Sequence, residues 1–129
     1  MERKKKILLI EDDRMLIRMY IIKLEKENFE IDVAYDGEEG LKMLTGKQYD
    51  LILLDLMMPK MDGFTMLDLY NHDKKYHKAP IIVLSNLGQK EDLDRAETLG
   101  IKKGDYIVKA NMTPSEVVQK IKETIVQTK

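Results

Sequence analysis

Four short stretches carry side chains that could do chemistry, and each follows a run of apolar residues. Glu11-Asp12-Asp13 follows Ile7-Leu8-Leu9-Ile10, Asp55 follows Leu51-Ile52-Leu53-Leu54, Ser85-Asn86 follows Ile81-Ile82-Val83-Leu84, and Lys109 follows Tyr106-Ile107-Val108. A short apolar run bounded by polar residues reads as a buried strand, so these groups sit where strands stop. In an open α/β sheet the carboxyl ends of the strands are where ligands gather, and three carboxylates, a hydroxyl and an ammonium could converge there. Glu11, Asp12 and Asp55 together carry about −3, which Lys109 alone cannot neutralise, and clustered like charges raise a pKa or recruit a cation. With oxygen donors and no cysteine in the chain, the expected cation is a hard one such as Mg²⁺. Mg²⁺ and Lys109 bring the sum to about zero, so a phosphoryl group could bind without prohibitive repulsion. Each group alone has a plainer reading: an acidic helix cap, a turn serine, a solvated lysine. Their recurrence at successive strand ends favours one site centred on Asp55.

The elements that must position these groups alternate through the whole chain. Besides the four runs above, Ile31-Asp32-Val33-Ala34 makes a fifth strand, second in chain order. Between the strands lie helix-like segments over approximately 13–28, 37–44, 64–73 and 89–99, with a last one over 114–126. The β-α-β-α alternation predicts a parallel sheet covered by helices on both sides, and continuous apolar runs are what such a sheet requires. Thr113-Pro114-Ser115-Glu116 is a capping box with proline at the first helical position. Val117, Val118, Ile121 and Ile125 then give that helix one core-facing stripe. Asp62-Gly63 marks a turn before the third helix, and Gly100 a C-terminal stop after the fourth. The fourth helix offers only Leu93, Ala96 and Leu99 to a core, which makes it a candidate for movement as well as for a static surface helix.

Composition narrows the classes. The 129 residues fit one domain, and 22 basic against 23 acidic side chains give a net charge of −1, which argues against a nucleic-acid binder. The only basic run, Arg3-Lys4-Lys5-Lys6, reads as a solvated segment before the first strand. Lack of cysteine removes disulfides, thiol catalysis and thiolate metal sites. No run approaches the ~20 apolar residues of a membrane span, and the charged N-terminus does not match a signal peptide; a cytoplasmic protein without a membrane partner is expected.

Taken together, Ile10-Glu11-Asp12-Asp13, Leu53-Leu54-Asp55-Leu56-Met57-Met58-Pro59 with Met61-Asp62-Gly63, Ser85 thirty residues beyond Asp55, and Asp105-Tyr106-Ile107-Val108-Lys109 resemble the receiver domain of bacterial two-component response regulators. The resemblance spans 1–129 and, with no output domain attached, is to the single-domain, chemotaxis-type members. It implies a flavodoxin-like (βα)5 fold, a three-layer sandwich with a parallel five-stranded sheet in the order 2-1-3-4-5. It also implies that Asp55 accepts a phosphoryl group from a sensor histidine kinase, a histidine phosphotransfer protein or, more slowly, a small phosphodonor. Asp12 and Asp55 would bind Mg²⁺ directly with the Met57 carbonyl, and Glu11 would hold a metal-bound water. Lys109 would pair with Asp55 and then with the phosphoryl oxygens. Ser85 would donate its hydroxyl to the phosphoryl group, and Tyr106 would rotate inward behind it, reshaping the surface of the fourth helix, fifth strand and fifth helix for an unknown downstream partner. Such a domain is no turnover enzyme beyond its own phosphorylation and dephosphorylation, and is expected as a monomer or a phosphorylation-dependent homodimer.

The chain departs from the family pattern in places. Ala110 replaces the usual proline after Lys109, which puts in doubt the cis peptide bond found there, since such bonds are rarely tolerated without proline. Asn86 stands where alanine or glycine is common, able to narrow access to the phosphoryl group or to hydrogen-bond to it. Ile101-Lys102-Lys103-Gly104-Asp105 is about two residues longer than family habit, so the loop into the fifth strand should have its own shape. Met57 and Leu87 flank the phosphoryl position in related domains; both are apolar, neither can orient a water, and slow hydrolysis of phospho-Asp55 is expected.

Other readings fit less well. A phosphatase of the haloacid-dehalogenase class needs a second acid two residues after its nucleophile, where Met57 stands. A flavin carrier of this fold would be repelled by Glu11-Asp12-Asp13. A receiver-like docking module that works without phosphorylation remains as the alternative. Met15, Met19, Met43 and Met66 are expected to be ordinary helix packing, His72 and His77 to be exposed, and Ile17, Ile21 and Ile22 to be partly buried, with a dimer or partner groove there as the alternative.

Overall fold

The computed structural model describes residues 3–127; of the 129 residues expected to form the domain, 1, 2, 128 and 129 lie outside it. The elements run β1 (Lys6–Ile10), α1 (Arg14–Lys26), β2 (Glu30–Ala34), α2 (Gly37–Gly46), β3 (Leu51–Leu54), α3 (Gly63–His72), β4 (Ile81–Ser85), α4 (Lys90–Thr98), β5 (Tyr106–Val108) and α5 (Pro114–Gln127). All strand pairs are parallel and the sheet order is β2-β1-β3-β4-β5, as the alternation and the resemblance require. Each expected element is present, with ends displaced by a residue or two.

The apolar runs of β1, β3 and β4 are continuous because alternate side chains of each serve two different cores. Leu8, Ile10, Ile52, Leu54 and Val83 point to one face and pack with Leu41 and Leu44 of α2, Phe64, Met66 and Leu67 of α3, and Ala96 of α4. Ile7, Leu9, Leu51, Leu53, Ile82 and Leu84 point to the other and pack with Ile17, Tyr20 and Leu24 of α1 and Val117, Val118, Ile121 and Ile125 of α5. Burying such a side chain contributes roughly 1.5–3 kcal/mol, so the central strands are held rigidly and their carboxyl ends with them. No helix among the described residues is long and apolar enough to cross a membrane.

Short polar side chains end the loops and start the helices. Asp13 accepts from the Met15 and Leu16 N–H groups, Asp36 from Glu39 and Asp62 from Thr65, each satisfying orphan donors of a first helical turn. The box at Thr113 and Glu116 forms in both directions, at 2.9 and 3.2 Å. α4 buries only Ala96, with Leu93 and Leu99 half-buried, and it is tied to α3 by Asn71 Nδ2 donating to the Leu99 carbonyl at 2.7 Å.

Several local expectations change. No peptide bond among the described residues is cis; without proline, Lys109–Asn111 instead coils into a 3₁₀ turn leading to α5. The longer loop before β5 closes as a second 3₁₀ turn, Lys103–Asp105, pinned by Lys120 to Asp105 at 3.3 Å. Arg3 is not merely solvated, since its guanidinium forks onto Asp50 at 3.2 and 3.3 Å. Met66 is fully buried and Met19 and Met43 pack against the two cores, but Met15 is 84% exposed, on the first turn of α1 just past the acidic cluster. His72 is exposed, whereas His77 is half-buried because its N–H bonds to the Leu44 carbonyl and draws the α3–β4 connection down. Ile17 is buried, Ile21 half-buried and Ile22 exposed.

Candidate functional site

The register places the chemical groups. Ile10 pairs with Leu54, so Glu11 and Asp55 leave adjacent strands side by side, and Asp55 N–H donates to the Ile10 carbonyl at 3.0 Å. Ser85 pairs with Val108, one residue before Lys109. The lysine reaches back across the strand ends: Nζ lies 3.0 Å from Glu11 Oε1 and 3.5 Å from Asp55 Oδ2. Carboxylate oxygens of Glu11, Asp12 and Asp55 lie within 4.8 Å of one another. Glu11 and Asp55 are buried and Asp12 is exposed, so the cluster opens to solvent on the Asp12 side.

Burial and charge act against each other here. Glu11 is pushed up to about 7, first by burial and then by the Asp55 charge, against the hydrogen bonds it accepts from Lys109 and the backbone. Its Oε2 takes the N–H groups of Asp12 and Asp13 at 3.1 Å each, which fixes the turn between β1 and α1. Lys109 is held above its ordinary value: burial pulls it down, but its bond to Glu11 and the charge of Asp55 outweigh that. One ammonium thus serves two buried carboxylates, and a third stands at the opening.

Ser85 is fully buried at the neighbouring strand end, and its Oγ accepts the Leu87 N–H at 3.3 Å. Tyr106 is half-buried and its hydroxyl donates to the Leu87 carbonyl at 2.6 Å. Burial, and the charges of Asp92 and Asp55, push the phenol up to about 12. The two expected switch residues therefore hold the same residue, Ser85 through the Leu87 N–H and Tyr106 through the Leu87 carbonyl, a link that no residue spacing disclosed. Met57 is drawn to the centre by its backbone, the N–H donating to Asp55 Oδ1 at 3.3 Å, while its side chain is 53% exposed.

Gly63 belongs to the site although the sequence marked it only as a turn. A Cβ there would stand 2.7 Å from the Asp55 carbonyl oxygen and 2.8 Å from Leu56 Cα, and its N–H donates to the Leu56 carbonyl at 3.0 Å. Only a hydrogen lets α3 start directly against the Asp55 backbone. Gly63→Ala is expected to cost about 1–3 kcal/mol, measured by urea denaturation, and to slow any chemistry at Asp55.

Known proteins of similar sequence and structure can now be set beside this geometry. The response regulator receiver domain family matches residues 7–122. The response regulator ArlR of Staphylococcus saprophyticus is 38% identical over 104 residues, which are 81% of this chain and 45% of that protein. The transcriptional regulatory protein ResD of Bacillus subtilis is 40% identical over 120 residues, 91% of this chain and 46% of that protein. The chain therefore spans under half the length of these relatives. Among solved structures, the receiver domain of the Francisella response regulator 1452 superposes with a TM-score of 0.85 at 28% identity, covering 98% of this chain and 100% of the other. The phosphorylated cyanobacterial phytochrome response regulator RcpA gives 0.84 at 29%, with coverages of 98% and 97%.

Proposed function

This chain belongs to the response regulator receiver domain family, and from that premise we propose that it accepts a phosphoryl group on Asp55 from a sensor histidine kinase or a histidine phosphotransfer protein. The observation that carries the proposal is the single cluster of Glu11, Asp12, Asp55 and Lys109, closed on the strand side and open at Asp12. Phosphoryl transfer asks a protein mainly to position groups and stabilise charge on the transferred oxygens, and this is what such a cluster supplies. Its metal donors are all carboxylates, with no imidazole or thiolate, which suits a hard cation. Asp12 and Asp55 would hold Mg²⁺ with the Met57 carbonyl, and Glu11 a water beside it. When bound, Mg²⁺ would neutralise the incoming phosphoryl oxygens and the carboxylates together.

The chain's own residues do the rest. Asp55 attacks as a carboxylate and needs no base. Lys109, free to turn from Glu11 towards the new oxygens, stabilises the transferred group. The Ser85 hydroxyl donates a hydrogen bond to a phosphoryl oxygen, and that pull is transmitted to Tyr106 through Leu87, whose N–H meets Ser85 and whose carbonyl meets Tyr106. The outcome is a shift of α4, β5 and α5 between existing arrangements, presented to a downstream protein. The chain acts as a phosphoacceptor and catalyses only its own phosphorylation and dephosphorylation.

Treatment with acetyl phosphate and Mg²⁺, followed by intact mass, should add one phosphoryl group to the protein and none to Asp55→Ala. An unchanged mass under conditions that label other receivers would favour a docking module independent of phosphorylation. Once formed, the phosphoaspartate is expected to last many minutes or longer, because the Met57 and Leu87 side chains cannot orient a water. Met57→Asn should shorten that lifetime several-fold, followed as loss of the added mass; equal decay in both proteins would refute the role given to Met57.

A further inference from the structure

Next to the acidic cluster lies a recess of about 570 Å³, a size typical of small-molecule sites. The Asp12 side of the cluster borders it, and Leu56, Met57, Met58 and Phe64 come from one loop and helix start while Leu87 comes from the facing loop. Its far side is closed by Arg95 of α4, whose guanidinium lies 4.2 Å from the centre of the Phe64 ring. No ion pair joins Arg95 to a carboxylate within 4.0 Å among the described residues. The acids that share the recess are committed elsewhere: Asp62 caps α3 through the Thr65 N–H and Asp92 accepts the Gln89 N–H. The recess therefore combines apolar walls from Leu56, Met57, Met58, Phe64 and Leu87 with charged margins, meeting the acidic cluster at Asp12 and carrying at its other end a cation on an aromatic ring with no carboxylate within 4.0 Å among the described residues.

We propose that this recess seats the leaving group of a small phosphodonor, and that the donor class it favours is an acyl phosphate with a bulky apolar or aromatic acyl group. This rests on the phosphoacceptor reading of Asp55 and names its substrate class. In-line displacement puts the leaving group on the far side of phosphorus from the attacking oxygen, hence towards the open rim that Met57 and Leu87 line. An Asp55 carboxylate oxygen forms the new O–P bond with its own electron pair. The bond between phosphorus and the acyl oxygen breaks, that oxygen departs with the pair as a carboxylate, and no proton is consumed. The acyl body packs against Met58 and Leu87, and the departing carboxylate pairs with Arg95, whose guanidinium rests over the Phe64 ring.

The test compares the labelling rates of acetyl phosphate and benzoyl phosphate with Mg²⁺ by intact mass. The ratio of the two is then compared between this protein and the variants Met58→Ser and Arg95→Gln, so that the intrinsic reactivity of each donor cancels. The wild-type ratio should favour benzoyl phosphate by roughly tenfold over that of the variants, with acetyl phosphate labelling nearly unchanged. Circular dichroism of each variant verifies that the fold is kept, and Met58→Leu, which retains the apolar surface, should keep the wild-type ratio. Equal ratios in all proteins would overturn the inference while leaving Asp55 as phosphoacceptor. Labelling by neither donor overturns both.

Discussion

Lys109→Met is expected to destabilise the metal-free protein by about 3–5 kcal/mol above neutral pH, the usual cost of removing one partner from a buried ionic cluster. The lysine is 19% exposed and is the only cation within 4.0 Å of either Glu11 or Asp55 among the described residues. Methionine keeps most of the apolar stem, so the loss isolates the charge. The effect should depend on pH in a definite direction. Glu11 in the fold binds its proton more tightly than its ordinary value of 4.5 allows, at about 7. Metal-free stability from this group is therefore full below about pH 4.5 and falls as pH rises towards 7. Lys109 is one of the influences that lower Glu11, so in the variant the fall continues above 7. Urea denaturation in EDTA at pH 5, 6.5 and 8 should give a small difference between the two proteins at pH 5 and the largest at pH 8. A constant difference would mean that Lys109 acts by packing rather than charge. With Mg²⁺ and a phosphodonor, labelling of Asp55 should slow on the order of 10²-fold, the scale of losing one preorganised stabiliser of transferred charge.

How far the fold was legible follows from which forces set it. The central strands β1, β3 and β4 are buried on both faces, so their apolar runs are uninterrupted, and the groups at the strands' carboxyl ends were readable as one site without any contact being known. What spacing could not disclose depends on backbone geometry. Leu87 is held by Ser85 and Tyr106 through its backbone N–H and carbonyl, groups common to nearly every residue, so nothing in its side chain signals the role. Gly63 looked like a turn residue because the absence of a Cβ says nothing about which atoms it approaches. Lys60, which adopts φ +65°, is not a residue type that announces a left-handed conformation. Met15 looks by residue type like one more packing position of α1, yet it stands exposed on the first turn of the helix. Arg95 read as part of a weakly amphipathic helix; its place over Phe64 depends on two helices far apart in sequence.

Asp12→Ala should separate stability from function in the opposite sense to Lys109→Met. The Asp12 side chain is exposed and makes no ion pair within 4.0 Å among the described residues, while its backbone N–H, which the substitution keeps, satisfies Glu11. In the metal-free protein the carboxylate contributes only repulsion to oxygens of Glu11 and Asp55 within 4.8 Å. Two unit charges at that separation repel by about 1 kcal/mol in a water-like medium, so the variant should be more stable than the parent by an amount of that order in EDTA. Its affinity for Mg²⁺ should nonetheless fall more than tenfold, since ligand charge count is what a hard cation responds to. Both effects appear in one measurement. A ligand that binds only the folded state raises the melting temperature as its concentration exceeds its Kd; the parent should therefore start lower and climb with Mg²⁺, and the variant start higher and stay nearly flat. Labelling of Asp55 should follow the climb and not the starting point. If the variant is less stable in EDTA and keeps the same response to Mg²⁺, Asp12 is a structural residue of the β1–α1 turn and not the open end of a metal site. The crossing of the two curves is the signature of a site whose acids are kept, against the interest of the empty fold, for the charge they are to hold.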